Sequence, residues 1–347
     1  MTTKKTKALC VPLNEAETLR KILRERNLLQ EDFKIIKDGT GIYFPLKEIP
    51  KDLPNYSVVT KFFEVRTRKP RCYKELLKLP HKLVGDLPTS YDIVGSILLV
   101  KLPQSLFRYR RQIGEALLQT HRNIRTVCLI DPVSGELRTR TMTILAGENH
   151  TLTTHTEYGL TFQVDVAAAY FSPRLASERR RIATLVQPDE IVVDLFAGVA
   201  PFSIMIARHA RPRRVYAIDK NSVAITLAKK NVKQNHVLET VEVIHADAKD
   251  VEKIIPTKAD RIIMNLPFSA YNFFSVALSI AASNCKVHYY DIIREEDIDG
   301  RISFLKTIAQ TQGYRLTEVT IHKIKSYAPR EFYIGLDITA LKHADVA

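Results

Sequence analysis

The sequence predicts an α/β protein whose C-terminal half is a mostly parallel sheet covered by helices on both faces. From about residue 174 onward, strand-like segments alternate with helix-like ones, in the order VVDLF, RVYAID, VEVIHAD, RIIMNLP and KVHYYDII. Alternation at this spacing is typical of βαβ units on a parallel sheet. The last two segments, RLTEVTIHKIK and EFYIGLDITAL, follow one another without a helix, so we expect an antiparallel pair at the sheet edge.

Two smaller α/β units are predicted before this sheet, and a basic linker joins them. Residues 1–62 contain a helix over Glu15–Arg26 and two short strands, FKIIKDG and TGIYFPL, joined by a turn at Asp38-Gly39. Residues 63–85 are the linker, which is rich in Lys and Arg and contains two prolines. A solvated connector and a phosphate-contacting segment are both consistent with this composition.

The middle unit, residues 86–170, is predicted to be α+β. Its first strand is IVGSILLVKL, and an amphipathic helix over SLFRYRRQIGEALLQTH follows. Two hairpins complete the unit. The first joins RTVCLI to LRTRTMTIL, and the second is TLTTHTEYGLTFQVDV, which turns near Glu157–Gly159. Residues 171–347 then form the domain of the large sheet.

The charge balance favours a polyanionic partner. The 347 residues include 52 Lys and Arg against 38 Asp and Glu, a net charge of +14. Such a surplus is expected of a protein that meets nucleic acid, although a basic enzyme without a polymeric partner could also show it. No apolar run approaches the ~20 residues that cross a bilayer. We therefore expect a soluble, cytoplasmic, monomeric protein with no membrane partner.

The cysteines give no sign of a metal site or a disulfide framework. They stand alone at Cys10, Cys72, Cys128 and Cys285, without CxxC or paired spacing. The histidines form no metal-binding pair such as HExxH. We expect neither a metal nor a disulfide.

A ligand-binding loop is predicted where the first large-sheet strand meets its helix, at DLFAGVAPF, residues 194–202. Open α/β sheets bind ligands at the carboxyl ends of their strands, and Gly198 lets the backbone approach a ligand closely. Ala200 and Pro201 stand where a pyrophosphate-binding loop needs glycine, which argues against NAD and FAD. An ordinary strand-to-helix turn would look similar. S-adenosylmethionine (AdoMet) has no pyrophosphate, so fewer glycines suffice.

Polar residues end the following strands as well. Asp219 lies 25 residues after Asp194, close to the offset at which an acid binds ribose hydroxyls. Asp247 ends the third strand and is placed to accept from an adenine amino group. The fourth strand ends in Asn265–Phe268 (NLPF), whose amide and carbonyl groups would face the methyl acceptor. Three successive acids around Gly198, together with the antiparallel edge, predict a class I AdoMet-methyltransferase fold.

These segments together resemble one family. DLFAGVAPFSI, AIDKNSVAITLAKKNVKQN, HADAKD and DRIIMNLPFSA are similar to the archaeal and eukaryotic tRNA (guanine-N1)-methyltransferases, which act on guanosine 37. VDVAAAYFSPRLASERRRI and the hairpin GELRTRTMTILAGENH also resemble that family, so the resemblance covers residues 85 to 340. The first 62 residues match its small tRNA-recognition domain in size and type. Ala200 departs from the family's Gly-x-Gly loop.

The resemblance implies a substrate, a cofactor and a mechanism. tRNA is the expected partner, with the middle domain contacting the target base, and AdoMet is the expected methyl donor, with no metal required. Guanine N1 carries a proton, so its methylation needs a base and a group that stabilises charge on O6. Glu178 resembles the family's general base and Arg138 its O6 contact. Asn265 would position the guanine, and Pro267 would orient the loop.

The resemblance also implies a set of cofactor-binding residues, which lie at strand ends or in the SPRLASER segment. They are Tyr170, Phe171, Arg174, Asp194, Phe196, Gly198, Asp219, Lys220, Asn221, Asp247, Ala248 and Asn265. On spacing alone, Glu178 would be interpreted as a surface acid paired with a neighbouring arginine, and Arg138 as an exposed strand arginine.

Three functions remain open at this point. The first is methylation of guanosine 37. The second is a wyosine-pathway reaction at the same nucleotide, either methylation of a precursor or aminocarboxypropyl transfer. The third is RNA binding without catalysis.

Overall fold

The computed structural model divides the chain into two compact units, Met1–Glu75 and Leu76–Ala347. The division falls inside the predicted linker, whereas the predicted boundaries at residues 62, 85 and 170 stay predictions. The linker residues Arg66, Arg68 and Lys69 lie outside the described part of the chain. The structure describes residues 3–50, 53, 55–65, 70, 72–131 and 142–343.

The first unit is one helix packed on a four-stranded antiparallel sheet of order β2-β3-β1-β4. The helix and the β2–β3 hairpin confirm the sequence prediction, but β1 and β4 were missed. β1 opens with five Thr and Lys residues, Thr3–Lys7, which look like a solvated tail until two neighbouring strands pair with β1. The elements are β1 (Thr3–Val11), α1 (Ala16–Glu25), β2 (Ile36–Asp38), β3 (Gly41–Pro45) and β4 (Ser57–Glu64).

The second unit begins with a four-stranded sheet of order β5-β6-β7-β8, in which α2 connects the parallel strands β6 and β7. The single strand predicted over IVGSILLVKL is wrong, because the chain turns at Gly95. Gly95 has φ +55°, and a Cβ there would lie 2.2 Å from Thr153 Oγ1. The elements are β5 (Asp92–Val94), β6 (Ile97–Val100), α2 (Arg110–Thr120), β7 (Thr126–Ile130) and β8 (Met142–Gly147).

The second predicted hairpin is present as β9 (Leu152–Glu157) and β10 (Leu160–Asp165). Its open edge is satisfied by Asn231 of α5 (Ser222–Gln234) and by Asn235, which caps the C-terminus of that helix, rather than by another strand. Asn231 Oδ1 accepts from the Gln163 N–H at 2.7 Å, and Asn235 Oδ1 accepts from the Thr161 N–H at 3.0 Å. Their amide groups donate to the carbonyls of the same two residues. The asparagines therefore complete the strand edge and attach the hairpin to the large domain.

The large domain is a seven-stranded sheet of order β13-β12-β11-β14-β15-β17-β16. The first five strands of this order are parallel, and β17 runs antiparallel between β15 and β16. This confirms the predicted parallel sheet with an antiparallel edge. The strands are β11 (Ile191–Asp194), β12 (Arg214–Asp219), β13 (Val241–His245), β14 (Ala259–Met264), β15 (Ala281–Arg294), β16 (Tyr314–Ala328) and β17 (Glu331–Lys342).

Helices cover both faces of this sheet, and each face has its own apolar core. α3 (Ala176–Leu185), α4 (Pro201–His209) and α5 contribute to one core. α6 (Val251–Ile254), α7 (Phe274–Ser279) and α8 (Ile298–Thr311) contribute to the other. None of the helices in the described ranges has both the length and the apolar character needed to cross a membrane. The strand order reverses between β11 and β14, which is where a sheet of this kind opens a crevice for a ligand.

Candidate functional site

A cavity of about 1080 Å³ opens at the carboxyl ends of β11, β12, β13 and β14. This volume accommodates a nucleoside-sized ligand together with a second ring system. Twelve residues predicted from the sequence line it. They are Tyr170, Phe171, Arg174, Phe196, Gly198, Asp219, Lys220, Asn221, Asp247, Ala248, Asn265 and Pro267.

The loop after β11 has an unusual backbone. Gly198 has φ +56° and Ala200 has φ +64°, both in the left-handed region. For a residue with a Cβ this conformation costs about 1 kcal/mol, which explains why glycine is typical at the position of Ala200. Pro201 then takes the first position of α4, where its missing N–H is not needed. The loop thus turns sharply and exposes backbone to the cavity.

Asp219 is fixed by this loop. Its Oδ2 accepts from the Gly198 N–H at 2.7 Å, and its Oδ1 accepts from the Asn221 N–H at 2.8 Å. Burial raises the pKa of Asp219, while the two backbone hydrogen bonds oppose that shift. A carboxylate has about four lone-pair sites, so both oxygens can accept further hydrogen bonds from a ligand in the cavity. This geometry suits two adjacent hydroxyl groups.

Asn221 and Asp247 shape the neighbouring wall by capping helical turns. Asn221 Oδ1 accepts from the first N–H groups of α5, and its Nδ2 donates to the Ala168 carbonyl at 2.7 Å. Asp247 accepts from the Lys249 N–H at 3.0 Å and remains half-exposed at the cavity. Both side chains therefore hold the backbone that surrounds Asp219.

Asn265 and Pro267 lie on the opposite wall, where β14 ends. Pro267 is buried and Asn265 is half-buried. The fully buried Tyr333 of β17 donates its hydroxyl hydrogen to Asn265 Oδ1, which orients the amide. The ring of Tyr333 also packs against Tyr290, at 6.1 Å between centroids.

Arg179 also lines the cavity, although no sequence pattern pointed to it. Its guanidinium donates to both oxygens of Glu157 and, at 3.0 Å, to the Ser172 carbonyl. It also lies over the rings of Phe171 and Phe202, at 5.0 and 5.9 Å from their centroids. Burial alone would raise the pKa of Glu157, but hydrogen bonds from His155 and Arg179 outweigh it and lower that pKa. A buried Arg pairing with an acid 22 residues earlier leaves no local sequence signal.

Glu178 is not among the described residues that line the cavity. Its buried carboxylate accepts two hydrogen bonds from Arg181, at 2.7 and 2.8 Å, and one from the Tyr290 hydroxyl at 2.8 Å. Arg181 also donates to Asp337 at 2.6 Å. The next residue of α3 after Glu178, Arg179, does line the cavity. The predicted role of Glu178 as a base stays a prediction, and Arg138 lies outside the described residues.

Asp194 lies behind the cavity wall rather than on it. It is 1% exposed, and its Oδ2 accepts from Ser203 Oγ of α4 at 2.8 Å. Oδ1 has no hydrogen-bond partner among the described residues. Burial raises its pKa to about 7, even though the bond from Ser203 opposes the shift. In this structure Asp194 holds α4 and the loop, and its predicted contact with a cofactor stays a prediction.

Three protein-family profiles match consecutive parts of the chain. The TRM5/TYW2 methyltransferase domain matches residues 153–317, and the TYW2 N-terminal domain matches residues 73–151. The tRNA methyltransferase 5 N-terminal domain matches residues 8–54.

Individual proteins resemble most of the chain or nearly all of it. The tRNA (guanine(37)-N(1))-methyltransferase Trm5b of Pyrococcus abyssi is 38% identical over 96% of this chain and 98% of its own. The solved complex of aTrm5 with tRNALeu superposes with a TM-score of 0.80 at 34% identity, covering 96% of this chain and 99% of that one. The tRNA(Phe) (4-demethylwyosine(37)-C(7)) aminocarboxypropyltransferase of Pyrococcus horikoshii is 33% identical, over 79% of this chain and 98% of its own.

The buried Asp194 predicts a specific pH dependence of stability. Because its folded-state pKa lies near 7 and its unfolded value near 4, the folded protein retains a proton that the unfolded chain releases. The free energy of unfolding therefore falls between about pH 4 and pH 7, by roughly 2–4 kcal/mol from this group. Asp194→Asn should remove this decrease in the free energy of unfolding, which is measured by urea unfolding at pH 5 and at pH 8. Asp189→Asn, at an exposed carboxylate before the same strand, should retain it. Parallel profiles for wild type and Asp194→Asn would contradict the assignment.

Proposed function

The chain belongs to the TRM5/TYW2 family of tRNA-modifying enzymes, and from this membership we propose that it transfers a methyl group from AdoMet to N1 of guanosine 37 in tRNA. The observation that carries the proposal is the similarity along both units. The first unit matches the tRNA methyltransferase 5 N-terminal domain, and the second matches the TYW2 N-terminal domain followed by the TRM5/TYW2 methyltransferase domain. The net charge of +14 supports a polyanionic substrate.

The cavity residues fit AdoMet. Asp219 offers both carboxylate oxygens to the ribose diol, and Asp247 stands beside it for the adenine amino group. The left-handed Gly198 brings backbone to the ligand without a side chain in the way. AdoMet, when bound, supplies a methyl group activated by the sulfonium charge. The wall formed by Asn265 and Pro267 is then left for the methyl acceptor.

Glu178 is the base that takes the N1 proton in this proposal. In the structure its carboxylate is held by Arg181 and Tyr290, so it must turn from α3 towards the cavity. This exchange leaves no unpaired arginine, because Arg181 retains its hydrogen bonds to Asp337. Residues on either side of Glu178, Leu175 and Arg179, already line the cavity. The required movement is therefore a side-chain rotation rather than a refolding of α3.

Two further side chains complete the proposed chemistry. Arg138 stabilises the negative charge that develops on O6 once N1 loses its proton. Asn265 positions the guanine edge, and Tyr333 fixes the orientation of its amide.

Aminocarboxypropyl transfer is the second candidate, because the P. horikoshii relative with that name is also more than 30% identical. That relative accounts for 79% of this chain, whereas the P. abyssi methyltransferase accounts for 96%. The greater coverage by the methyltransferase, together with the match of residues 8–54 to the tRNA methyltransferase 5 N-terminal domain, favours methyl transfer.

The direct test is incubation of the protein with an unmodified tRNA transcript and labelled AdoMet, followed by mass spectrometry of the digested RNA. The expected result is one methyl group on guanosine 37, placed on N1. A four-carbon amino acid at that nucleotide would support the second candidate instead. A product without any added mass would contradict both.

Asp219→Ala should weaken AdoMet binding. The substitution removes both acceptors of the ribose diol and leaves a buried hydroxyl unpaired, which costs about 1–3 kcal/mol, or roughly tenfold to a hundredfold in Kd. Calorimetric titration with AdoMet measures the effect. Asp250→Asn, at an exposed acid outside the cavity lining, serves as the control and should bind as wild type does. An unchanged Kd for Asp219→Ala would remove Asp219 from the site.

Glu178→Gln should lower the single-turnover rate of methyl transfer by roughly 10²–10⁴-fold, because Gln cannot accept the N1 proton. Raising the pH should partly restore the rate, since hydroxide can remove that proton. Arg138→Ala should reduce the rate by roughly 10²–10³-fold without such rescue.

Tyr290→Phe distinguishes this role from a structural one. It removes the hydroxyl that holds Glu178 but keeps the carboxylate, so the pH–rate profile should keep its wild-type shape. If Glu178→Gln and Tyr290→Phe lower the rate equally, and neither effect responds to pH, Glu178 serves only to anchor α3.

A further inference from the structure

Two half-exposed aromatic rings meet at the mouth of the cavity. Phe268 follows the Asn265–Pro267 wall and is 46% exposed, and Tyr327 of β16 is 48% exposed. Their centroids lie 5.6 Å apart with an angle of 74° between the ring planes. Single exposed aromatics are common on protein surfaces, but both of these line the cavity.

The backbone holds Phe268 in this position against a conformational cost. Its φ is +73°, in the left-handed region that bulky residues avoid. The Phe268 N–H donates to Asp291 Oδ1 at 3.2 Å. Asp291 is fully buried, and its Oδ2 accepts from the Tyr289 hydroxyl at 2.8 Å and forms an ion pair with Arg301 Nε at 3.1 Å. A rigid buried carboxylate thus keeps an apolar ring turned out towards solvent.

The rings lie at the rim of the cavity and not in its depth. Pro267 is buried while the next residue, Phe268, is exposed, so the cavity wall passes from the interior to the surface of the protein between them. Lys325, two residues before Tyr327, lines the same wall and adds a positive charge. Two aromatic rings beside a cation can bind a nucleotide, because the rings can stack on the nucleobase and the cation can pair with its phosphate.

A base that enters the cavity must leave the stack of its loop. The neighbouring base is then left without a stacking partner on one face, which contributes to the few kcal/mol that base flipping costs. We propose that Phe268 and Tyr327 form a stacking platform for the nucleobase adjacent to the acceptor guanosine, and that the rings take the place of the acceptor base once it is extruded. This assignment rests on the proposed function, because it takes the acceptor to lie at Asn265 and Pro267.

The test is a double-mutant cycle between the platform and the RNA. The protein variant is Phe268→Leu with Tyr327→Leu, which keeps apolar side chains and the Cβ at the left-handed position but removes both rings. The RNA variants are tRNAs with an abasic nucleotide at position 36 or at position 38, and a third tRNA is abasic at the acceptor, position 37. Phe268→Tyr with Tyr327→Phe keeps both rings and should behave as wild type. Phe304→Leu is the matched control, because Phe304 is 48% exposed and contacts Tyr271 edge-on but is not among the described residues that line the cavity.

The ring-less variant should bind unmodified tRNA roughly tenfold to a hundredfold more weakly, with AdoMet affinity unchanged. Wild type should bind one of the abasic tRNAs more weakly than intact tRNA, by the same factor. The ring-less variant should bind that abasic tRNA and intact tRNA equally well, because the protein change and the RNA change remove the same stacking interaction. Additive effects at both positions would overturn the platform. Coupling seen only with an abasic acceptor would place the acceptor itself on the rings and overturn the assignment to its neighbour. A changed elution volume of the free variant would assign the pair to a protein–protein contact instead.

These outcomes are separable from the fate of the proposed function. If wild type methylates guanosine 37 while the ring-less variant binds tRNA normally, the platform is wrong and the function stands. If wild type modifies no tRNA, the function fails and the platform with it.

Discussion

One buried guanidinium, that of Arg179, holds together the segments that enclose the cavity. It joins the β9–β10 hairpin through Glu157 and the chain before α3 through the Ser172 carbonyl. It also packs on rings from the cavity wall and from α4. Removing one partner of such a pair costs about 3–5 kcal/mol, because the other charge stays buried and unpaired. The position of Glu178, the preceding residue, depends on the same anchor.

The antiparallel strand β17 contributes to the site as well as to the sheet. Tyr333 reaches Asn265 from it, and Asp337 reaches Arg181, four residues further along. Burial alone would raise the pKa of Asp337, but hydrogen bonds from His288 and Arg181 outweigh it and hold that pKa well below its ordinary value. Asp337 therefore stays ionised and keeps Arg181 in place. The antiparallel strand that distinguishes this sheet from an all-parallel one thus also orients Asn265 in the cavity and holds Arg181 beside Glu178.

The parts of the site that sequence reasoning predicted are those that follow from strand order. Asp219, Asp247 and Asn265 each end a parallel strand, and parallel strands bring their carboxyl ends to one edge. The contacts that orient them were not predictable, because Tyr333 lies 68 residues from Asn265 and no local pattern connects the two. The turn at Gly95 was missed for a related reason. Its close approach to Thr153 exists only once β9 is in place, so an apolar run looked like one strand.

Glu178, the proposed base, is held away from the cavity by its own hydrogen bonds. A carboxylate that accepts three hydrogen bonds from Arg181 and Tyr290 has little capacity left for another proton donor. When the Glu178 carboxylate turns towards a substrate, Arg181 must keep another ion-pair partner. A buried guanidinium without a partner would make the movement too costly. Arg181 meets that condition through Asp337, and burial together with the neighbouring Glu178 carboxylate raises the pKa of Tyr290, so its hydroxyl remains a neutral donor. The exchange then costs the charge-assisted hydrogen bond from the buried Tyr290 hydroxyl and the Glu178 side of an ion pair that Arg181 shares with Asp337.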